Sequence, residues 1–495
     1  MSDYVLGIDQ STQGTKALLF DDAGHLIGRT DLPHRQIVDE RGWVEHDLNE
    51  IYANTIQTVK NLVGKTGIDK NEIRVLGISN QRETAAAWNA RTGEPVYNAI
   101  VWQCARGAAI CDRIETEHPD VRYCVKDKTG LNFSPYFTAA KLAWIMENVP
   151  AAQEAAEKGE LCMGTIDSFL VWQLTGGKVF RTDYSNASRT QLFNIRSLQW
   201  DEDLAALFGI PLSCLAGVSD SDGDYGTTDL DGYLDAPIPI RCVLGDSHGA
   251  LFGQNCRRPG MIKSTFGTGS SIMMNIGETP VASESVVTSL AWKIGGKVHY
   301  VLEGNINFTG AVVSWMQDDL HLIEKASETS ALARAAHPGD RTYLVPAFSG
   351  LGAPYWDNEA RASFSGMSRT TGRAELVKAG LESIAYQVTD ILNVMRQESG
   401  IPIPDLRVDG GPTGNEYLMQ FLSDLAEVTV EVPDVEELSG LGVAYCAGIA
   451  AGIYDPDKVF DVITRSQYTP KMSEEERAER YEGWKNAVRR TLSRP

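Results

Sequence analysis

Cysteine is scarce in this 495-residue sequence: eight in all, at 104, 111, 124, 162, 214, 242, 256 and 446, with no C-x-x-C pair. That spacing does not suit a disulfide scaffold and fits reduced thiols in a cytoplasmic protein. Basic charge is in deficit, 45 Lys and Arg against 66 Asp and Glu, for a formal net charge of −21. The deficit argues against nucleic acid or an anionic membrane surface as the main partner, because both reward basic patches. An anionic ligand would need local Lys, Arg, backbone N–H groups or a metal to overcome the overall field. Long apolar runs are missing too. The longest uncharged stretch, 438–454, falls short of the roughly 20 residues of a spanning helix. It is rich in Gly and Ala and predicts a buried helix, with no membrane insertion. The start, Met1-Ser2-Asp3-Tyr4, has no basic segment leading into an apolar one, so no signal peptide is expected.

What is present is ordinary globular usage, 43 % hydrophobic and 22 % charged, which argues against disorder. The length predicts two or three domains with a large core. Residues 4–30 read as strand, polar turn, strand, turn and strand, an antiparallel meander. Residues 260–276, GMIKSTFGTGSSIMMNI, repeat the plan around Gly-Thr-Gly. Two hairpins of one design half a chain apart point to two halves sharing an ancestral unit. The interruption at Gly253, Pro259 and Gly260 places the division at 1–252 and 253–495. Apolar spacings of three and four predict helices at 47–64, 136–147, 151–159, 375–397 and 415–426. A charged helix at 473–490, supported by Glu-to-Arg spacings, is expected to be solvated. Strands alternating with helices give an α/β fold whose halves pack around a cleft.

Three strand-to-glycine turns carry the chemistry. In GIDQSTQGTK, Asp9 ends a strand and Ser11 to Thr15 form a turn with Lys16 beside it. Such a turn offers N–H groups and hydroxyls to a phosphate, yet it matches neither the dinucleotide nor the P-loop pattern. In VLGDSHGALFGQ, Asp246 stands at a strand end, where a general base can reach a ligand hydroxyl. In VDGGPTGN, a strand ends in glycines that open a helix, a setting for an anionic or nucleotide ligand. Together the three read as a nucleotide held between two domains.

These turns belong to a longer ordered series. It runs through GWVEHD (42–47), GISNQRETAAAWN (77–89), YNAIVWQCAR (97–106), TGLNFSPYFTAAKLAWI (129–145), GTIDSFLVWQLTGG (164–177) and TDYSNASRTQLFNI (182–195). It continues with GDSHGALFGQ (245–254), FGTGS (266–270), PAFSGLGAPYWDNEAR (346–361), LESIAYQ (381–387) and VDGG (408–411). In this order the segments resemble the FGGY carbohydrate kinase family, and within it the glycerol kinase branch, over almost the whole chain. The resemblance implies two actin-like, ribonuclease-H-like domains closing over ATP, the first holding the polyol and phosphate loop, the second the nucleotide. It implies an ATP:polyol phosphotransferase using Mg²⁺, converting glycerol to glycerol 3-phosphate, and a homo-oligomer.

The implied roles follow residue by residue. Asp246 matches the base that takes the proton from the attacking hydroxyl, and Asp9 the carboxylate that orients Mg²⁺. Thr12, Gln13, Gly14 and Lys16 match the phosphate loop, with Thr268 on the opposing hairpin. Gly310, Ser314, Gly411 and Asn415 match positions around the nucleotide. Arg82 and Glu83 match the pair that hydrogen-bonds the polyol, apt because hydroxyls both donate and accept. Trp102 and Tyr136 match the pocket walls.

The departures bear on substrate and control. Glycerol kinases usually carry Asp-Gln-Gln where this chain has Asp246-Ser247-His248, and an aromatic residue where it has Ser271. Ser314 stands at their nucleotide-side Gln, and Ser-Thr-Gln-Gly-Thr-Lys replaces Gly-Thr-Thr-Ser-Ser-Arg. Ser247 and Ser271 remove bulk and add hydroxyls, leaving room for one or two more C–OH units. Erythritol or threitol, a pentitol, xylulose or ribulose are therefore the alternative acceptors, while the retained Arg82, Glu83, Trp102 and Tyr136 favour glycerol. A non-enzymatic nucleotide-binding protein of the same fold would not need that pocket. Two controls are not expected: the segment from Leu230, LDGYLDAPI, lacks the fructose bisphosphate loop, and no His lies between 119 and 247 to be phosphorylated.

Overall fold

The computed structural model describes residues 3–493. The opening meander forms as β1 (Tyr4–Gln10), β2 (Gly14–Phe20) and β3 (Leu26–Pro33), paired antiparallel in turn. β4 (Ile73–Asn80) lies parallel to β1, and β5 (Ile238–Gly245) parallel to β4. The short strand Thr227–Thr228 closes that edge antiparallel to β5. β1 and β4 are buried at nearly every position, as their continuous apolar runs require of strands covered on both faces.

The second sheet contains β6 (Ile262–Phe266), β7 (Ser270–Gly277), β8 (Val287–Ile294), β9 (Lys297–Ile306), β10 (Asp405–Gly410), β11 (Thr429–Pro433) and β12 (Arg465–Tyr468). From the edge its order is β12-β11-β10-β6-β7-β9-β8, against Thr227–Thr228, β5, β4, β1, β2, β3 in the first. Each shared pairing has the same sense, parallel between β11, β10 and β6 and antiparallel elsewhere. The repeat inferred from the hairpins thus extends across the sheet, with β8 added at the far edge.

Helices follow the predicted spacing. Asp47 caps α1 (Leu48–Thr66) through its carboxylate, and α2 (Thr138–Asn148) packs against the third, smaller sheet through its apolar face. α3 (Asp246–Gly253) leaves β5 and reaches β6, whereas α6 (Leu438–Ala450) comes from the second half and lies on β1, β4 and β5. Before it come α4 (Arg373–Ser399) and α5 (Glu416–Ala426). α3 and α6 cross with almost no side chain between them: a Cβ on Gly442 would stand 1.9 Å from the Gly249 carbonyl oxygen. The uncharged stretch is therefore the buried helix expected, and its glycines let the two halves interlock.

The expected solvated face of the C-terminal helix is only part of it. The charged C-terminal helix α7 (Glu474–Thr491) is not solvated all round, because Trp484 is fully buried. Its Nε1–H and the Tyr481 hydroxyl donate to Asp390 on α4, at 2.8 and 2.6 Å. The Glu-to-Arg spacing described only the outer face. All eight cysteines are unpaired, and no helix among the described residues is long and apolar enough to cross a membrane.

Candidate functional site

Asp9, Arg82, Glu83 and Asp246 gather where β1, β4 and β5 end, and Arg82 reaches from there to Glu303 on β9, which Ser271 of β7 also contacts. Asp246, first residue of α3, keeps its side chain 36 % exposed while Arg82 beside it is 6 % exposed. Its Oδ1 lies 3.2 Å from Arg82 Nε and accepts the Ser247 backbone N–H at 2.6 Å. One carboxylate edge is thus fixed, as a base requires, and exposure leaves the group reachable by substrate.

Arg82 and Glu83, adjacent in sequence, are held by different partners. Glu83 takes a left-handed backbone, φ +59°, and its carboxylate accepts Arg189 Nε–H at 2.6 Å. Arg82 instead forks onto Glu303 of β9, Nη1 to Oε2 at 3.1 Å and Nη2 to Oε1 at 2.7 Å. Arg189 Nη1 reaches the same Glu303 at 2.7 Å, and Ser271 donates to its Oε1 at 3.2 Å. Burial pushes the Glu303 carboxyl up, but Arg189 and Arg82 hold it well below the usual range. Sequence reasoning missed Glu303 and Arg189; the available signal was one acid amid the apolar residues of strand β9. Ser247 is half-buried beside Asp246, while His248 is fully buried with neither ring nitrogen partnered. Burial, then the nearby Arg82, pulls its pKa well below the ordinary value.

Trp102 and Tyr136 meet edge to face, ring centroids 5.6 Å apart. The Trp102 indole N–H donates to Thr12 Oγ1 at 2.9 Å, so this pair of rings touches the turn of the first hairpin. Lys141, fully buried on α2, donates to the carbonyls of Pro135 and Phe137 at 3.0 Å each and to that of Tyr136. Its three N–H groups fix the Tyr136 loop.

On the first hairpin, Gln13 is exposed and Thr12 half-buried. Gly14 has a structural reason to be glycine: a Cβ there would stand 2.4 Å from the Leu32 carbonyl oxygen, so β3 demands it. Its N–H is also directed to Ser11 Oγ at 3.3 Å. Lys16 Nζ is held by Glu437 at 2.7 Å and lies 3.9 Å from Asp9. Opposite, Thr268 is exposed and its carbonyl accepts the N–H groups of Thr309 and Ala311. Gly310 must be small, because a Cβ would lie 2.5 Å from the Gly267 carbonyl oxygen. Ser314 is exposed on the same short helix, Gly310–Ser314. Gly411 borders open space, but the Asn415 side chain is engaged, capping α5 through Leu418 N–H and donating to Thr329.

Comparison with known proteins agrees with this arrangement. The profile of the FGGY family of carbohydrate kinases, N-terminal domain, matches residues 4–253, and that of its C-terminal domain matches 262–451. The chain belongs to the FGGY family of carbohydrate kinases. A glycerol kinase of Symbiobacterium thermophilum is 47 % identical over 490 residues, 98 % of each chain. Glycerol kinase 1 of Thermotoga maritima is 46 % identical, covering 99 % of this chain and 100 % of its own. The crystal structure of Plasmodium falciparum glycerol kinase with ADP superposes with a TM-score of 0.93 at 35 % identity, covering 100 % and 99 % of the two chains.

This FGGY kinase is therefore a phosphotransferase, and its site has an electrostatic asymmetry suited to that chemistry. Burial pushes Asp9 up to about 6 against the opposing pull of Lys16 and the Ser79 hydroxyl, and Asp246 and Glu437 add to the rise. Asp9 and Asp246 supply carboxylate oxygens there, a donor set that fits a hard divalent ion with oxygen ligands. Among the described residues no three acidic, His or Cys side chains converge as a metal cluster.

Proposed function

We propose that this protein transfers the γ-phosphoryl group of ATP to a terminal hydroxyl of glycerol, giving glycerol 3-phosphate. The observation that carries the reading is the fixed yet exposed Asp246 carboxylate beside Arg82, close to the Trp102–Tyr136 wall. Asp246 takes the hydroxyl proton as the oxygen attacks, and Arg82 with the two rings orients the polyol. The site on Asp9 takes Mg²⁺ with the nucleotide through water, and that ion offsets phosphate charge that the acidic surroundings would otherwise repel. Gln13, Thr12 and Thr268 face the phosphates from the two hairpins, and Gly310, Ser314 and Gly411 border the nucleotide. Acceptor and phosphate turn belong to residues 1–252 and the nucleotide to 253–495. Closure excludes water, so that the alcohol is the nucleophile. The cytoplasm, where ATP is available and the eight thiols stay reduced, is the proposed compartment.

Ser247 and Ser271 favour a second reading, since both are partly exposed at this pocket and each offers a hydroxyl to a longer acceptor. A coupled ADP-release assay with Mg-ATP across glycerol, erythritol, the threitols, pentitols, xylulose and ribulose separates the two. A highest kcat/KM for glycerol supports the first reading. A longer acceptor in first place replaces it, and Ser247→Gln with Ser271→Phe should then restore glycerol. Asp246→Asn should lower transfer by about 10³-fold with nucleotide binding intact, and substantial residual turnover would defeat the base assignment.

A further inference from the structure

Behind the site, a chain of hydrogen bonds leaves Trp102 and returns to it. The Trp102 backbone N–H donates to Thr84 Oγ1 at 3.2 Å, and the Thr84 hydroxyl donates to Gln81 Oε1 at 2.7 Å. Gln81 Nε2 lies 3.2 Å from His46 Nδ1, and His46 Nε2 lies 2.8 Å from Gln36 Oε1. Gln36 Nε2–H then donates to the Thr12 carbonyl at 2.6 Å. The Trp102 indole bond to Thr12 Oγ1 closes the ring.

The direction of every link follows from its neighbours. Gln36 spends its amide N–H on Thr12 and so presents an oxygen to His46. Gln81 receives the Thr84 hydroxyl on its oxygen and so presents an N–H. His46 must therefore accept at Nδ1 and donate from Nε2, the neutral imidazole with one tautomer. Burial, and then the adjacent His34, whose ring centroid is 4.4 Å away, push its pKa down to about 3. His46, Gln81 and Thr84 are fully buried, and donors aligned in one sense strengthen one another. The ring joins the acceptor wall at Trp102 to the phosphate turn at Thr12.

We propose that His46 is a positioning residue, holding the phosphate turn at Thr12 in register with the acceptor wall at Trp102. The inference rests on the kinase reading of this site. It is tested with His46→Ala, His46→Asn and His46→Gln in the full chain. A glutamine amide reaches Gln36 and preserves the link to Thr12; an asparagine amide ends near the Nδ1 position and preserves only the link to Gln81. Both lose the same buried ring, so a purely structural role costs them alike.

The readouts are affinity for a non-hydrolysable ATP analogue with Mg²⁺, by calorimetry without acceptor, and the KM values for ATP and acceptor. Loss of a buried hydrogen-bond link should weaken analogue binding about tenfold in His46→Ala and His46→Asn. His46→Gln should stay within about threefold of the parent, although its melting midpoint falls as far as that of His46→Asn. Equal analogue affinities for the Asn and Gln variants, following only the melting midpoint, overturn the proposal. If His46→Ala does not fold, the Asn and Gln pair decides alone. Because the calorimetry needs no acceptor, failure of the polyol reading, seen as no turnover with any polyol, remains a separate result.

Discussion

The two hairpins share a scaffold and differ in charge. In the first, Asp9 on β1 lies opposite Lys16 on β2; at the same place in the second, Thr265 on β6 lies opposite Ser271 on β7. Both pairs precede a turn of three residues, 11–13 and 267–269. The second half does contain buried charge, but it is matched: Glu303 by Arg82 and Arg189, and Asp409 by Gln254 and the neighbouring Lys263. In the first half Asp9 lies 3.9 Å from Lys16, which Glu437 already engages, and Asp246 lies 3.2 Å from Arg82, which forks onto Glu303. Duplication copied the sheet and not the electrostatics. The carboxylates near the first hairpin, Asp9 and the partly exposed Asp246, are held more loosely, by Lys16 at 3.9 Å and Arg82 at 3.2 Å, than Glu303 with its two guanidinium partners, while the second hairpin offers hydroxyls at the same place.

The comparison breaks if the second half's charge is not structural. Glu303→Gln leaves two buried guanidinium groups short of a partner and should cost about 3–5 kcal/mol, read by denaturant unfolding. A loss below about 1 kcal/mol would show that Arg82 and Arg189 do not depend on it.

Asp9→Asn tests the opposite claim, that first-half charge is kept for function at a cost in stability. Transfer should fall at least about 100-fold, because the carboxylate proposed to hold Mg²⁺ is lost. Stability should rise at pH 7. A carboxyl whose folded pKa is raised binds its proton more tightly in the folded state, so its stabilising contribution is complete below about pH 4. It is lost as pH rises through about 6. Removing the charge therefore gains up to about 3 kcal/mol at pH 7 and nothing near pH 4. Unfolding curves at the two pH values check the sign.

Lys16→Met sharpens the same point with a smaller effect. Losing a cation that Glu437 engages and that lies 3.9 Å from Asp9 should raise the KM for ATP about tenfold, with the acceptor KM unchanged in a two-substrate kinetic analysis.

Much of this arrangement was legible in the sequence. Short apolar runs around small turns marked both hairpins, and the uncharged glycine-rich stretch marked α6, because such patterns have few other physical uses. Asp9 and Asp246 stood out because strand ends position them locally, whereas Trp102 and Tyr136 stood out only through the family resemblance. The partners of Arg82 were not legible. Glu303 lies 221 positions away along the chain, and no local pattern encodes which buried acid meets which buried base. Gly14 was legible as an obligatory glycine but not as a glycine required by Leu32, since its neighbour on β3 appears only when the third strand is paired. Trp484 was hidden for a related reason: the charge pattern of α7 describes the face that water sees, and the packed face depends on Asp390 of α4.

The smallest effect concerns the second hairpin itself. Thr265→Val removes a hydroxyl that accepts Lys263 Nζ–H at 3.0 Å, and Ser271→Ala removes the donor to Glu303. Neither substitution changes formal charge, and Glu303 retains both guanidinium partners. Each should therefore alter kcat/KM for ATP by less than about threefold, within the net worth of one neutral hydrogen bond. Ser271→Ala should act on the acceptor KM rather than on ATP, because its contact leads through Glu303 to Arg82 and Asp246. If Thr265→Val instead matched the loss from Asp9→Asn, the two hairpins would be chemically as well as topologically equivalent. The asymmetry of charge would then no longer explain why one side of the cleft handles the transferring phosphoryl group.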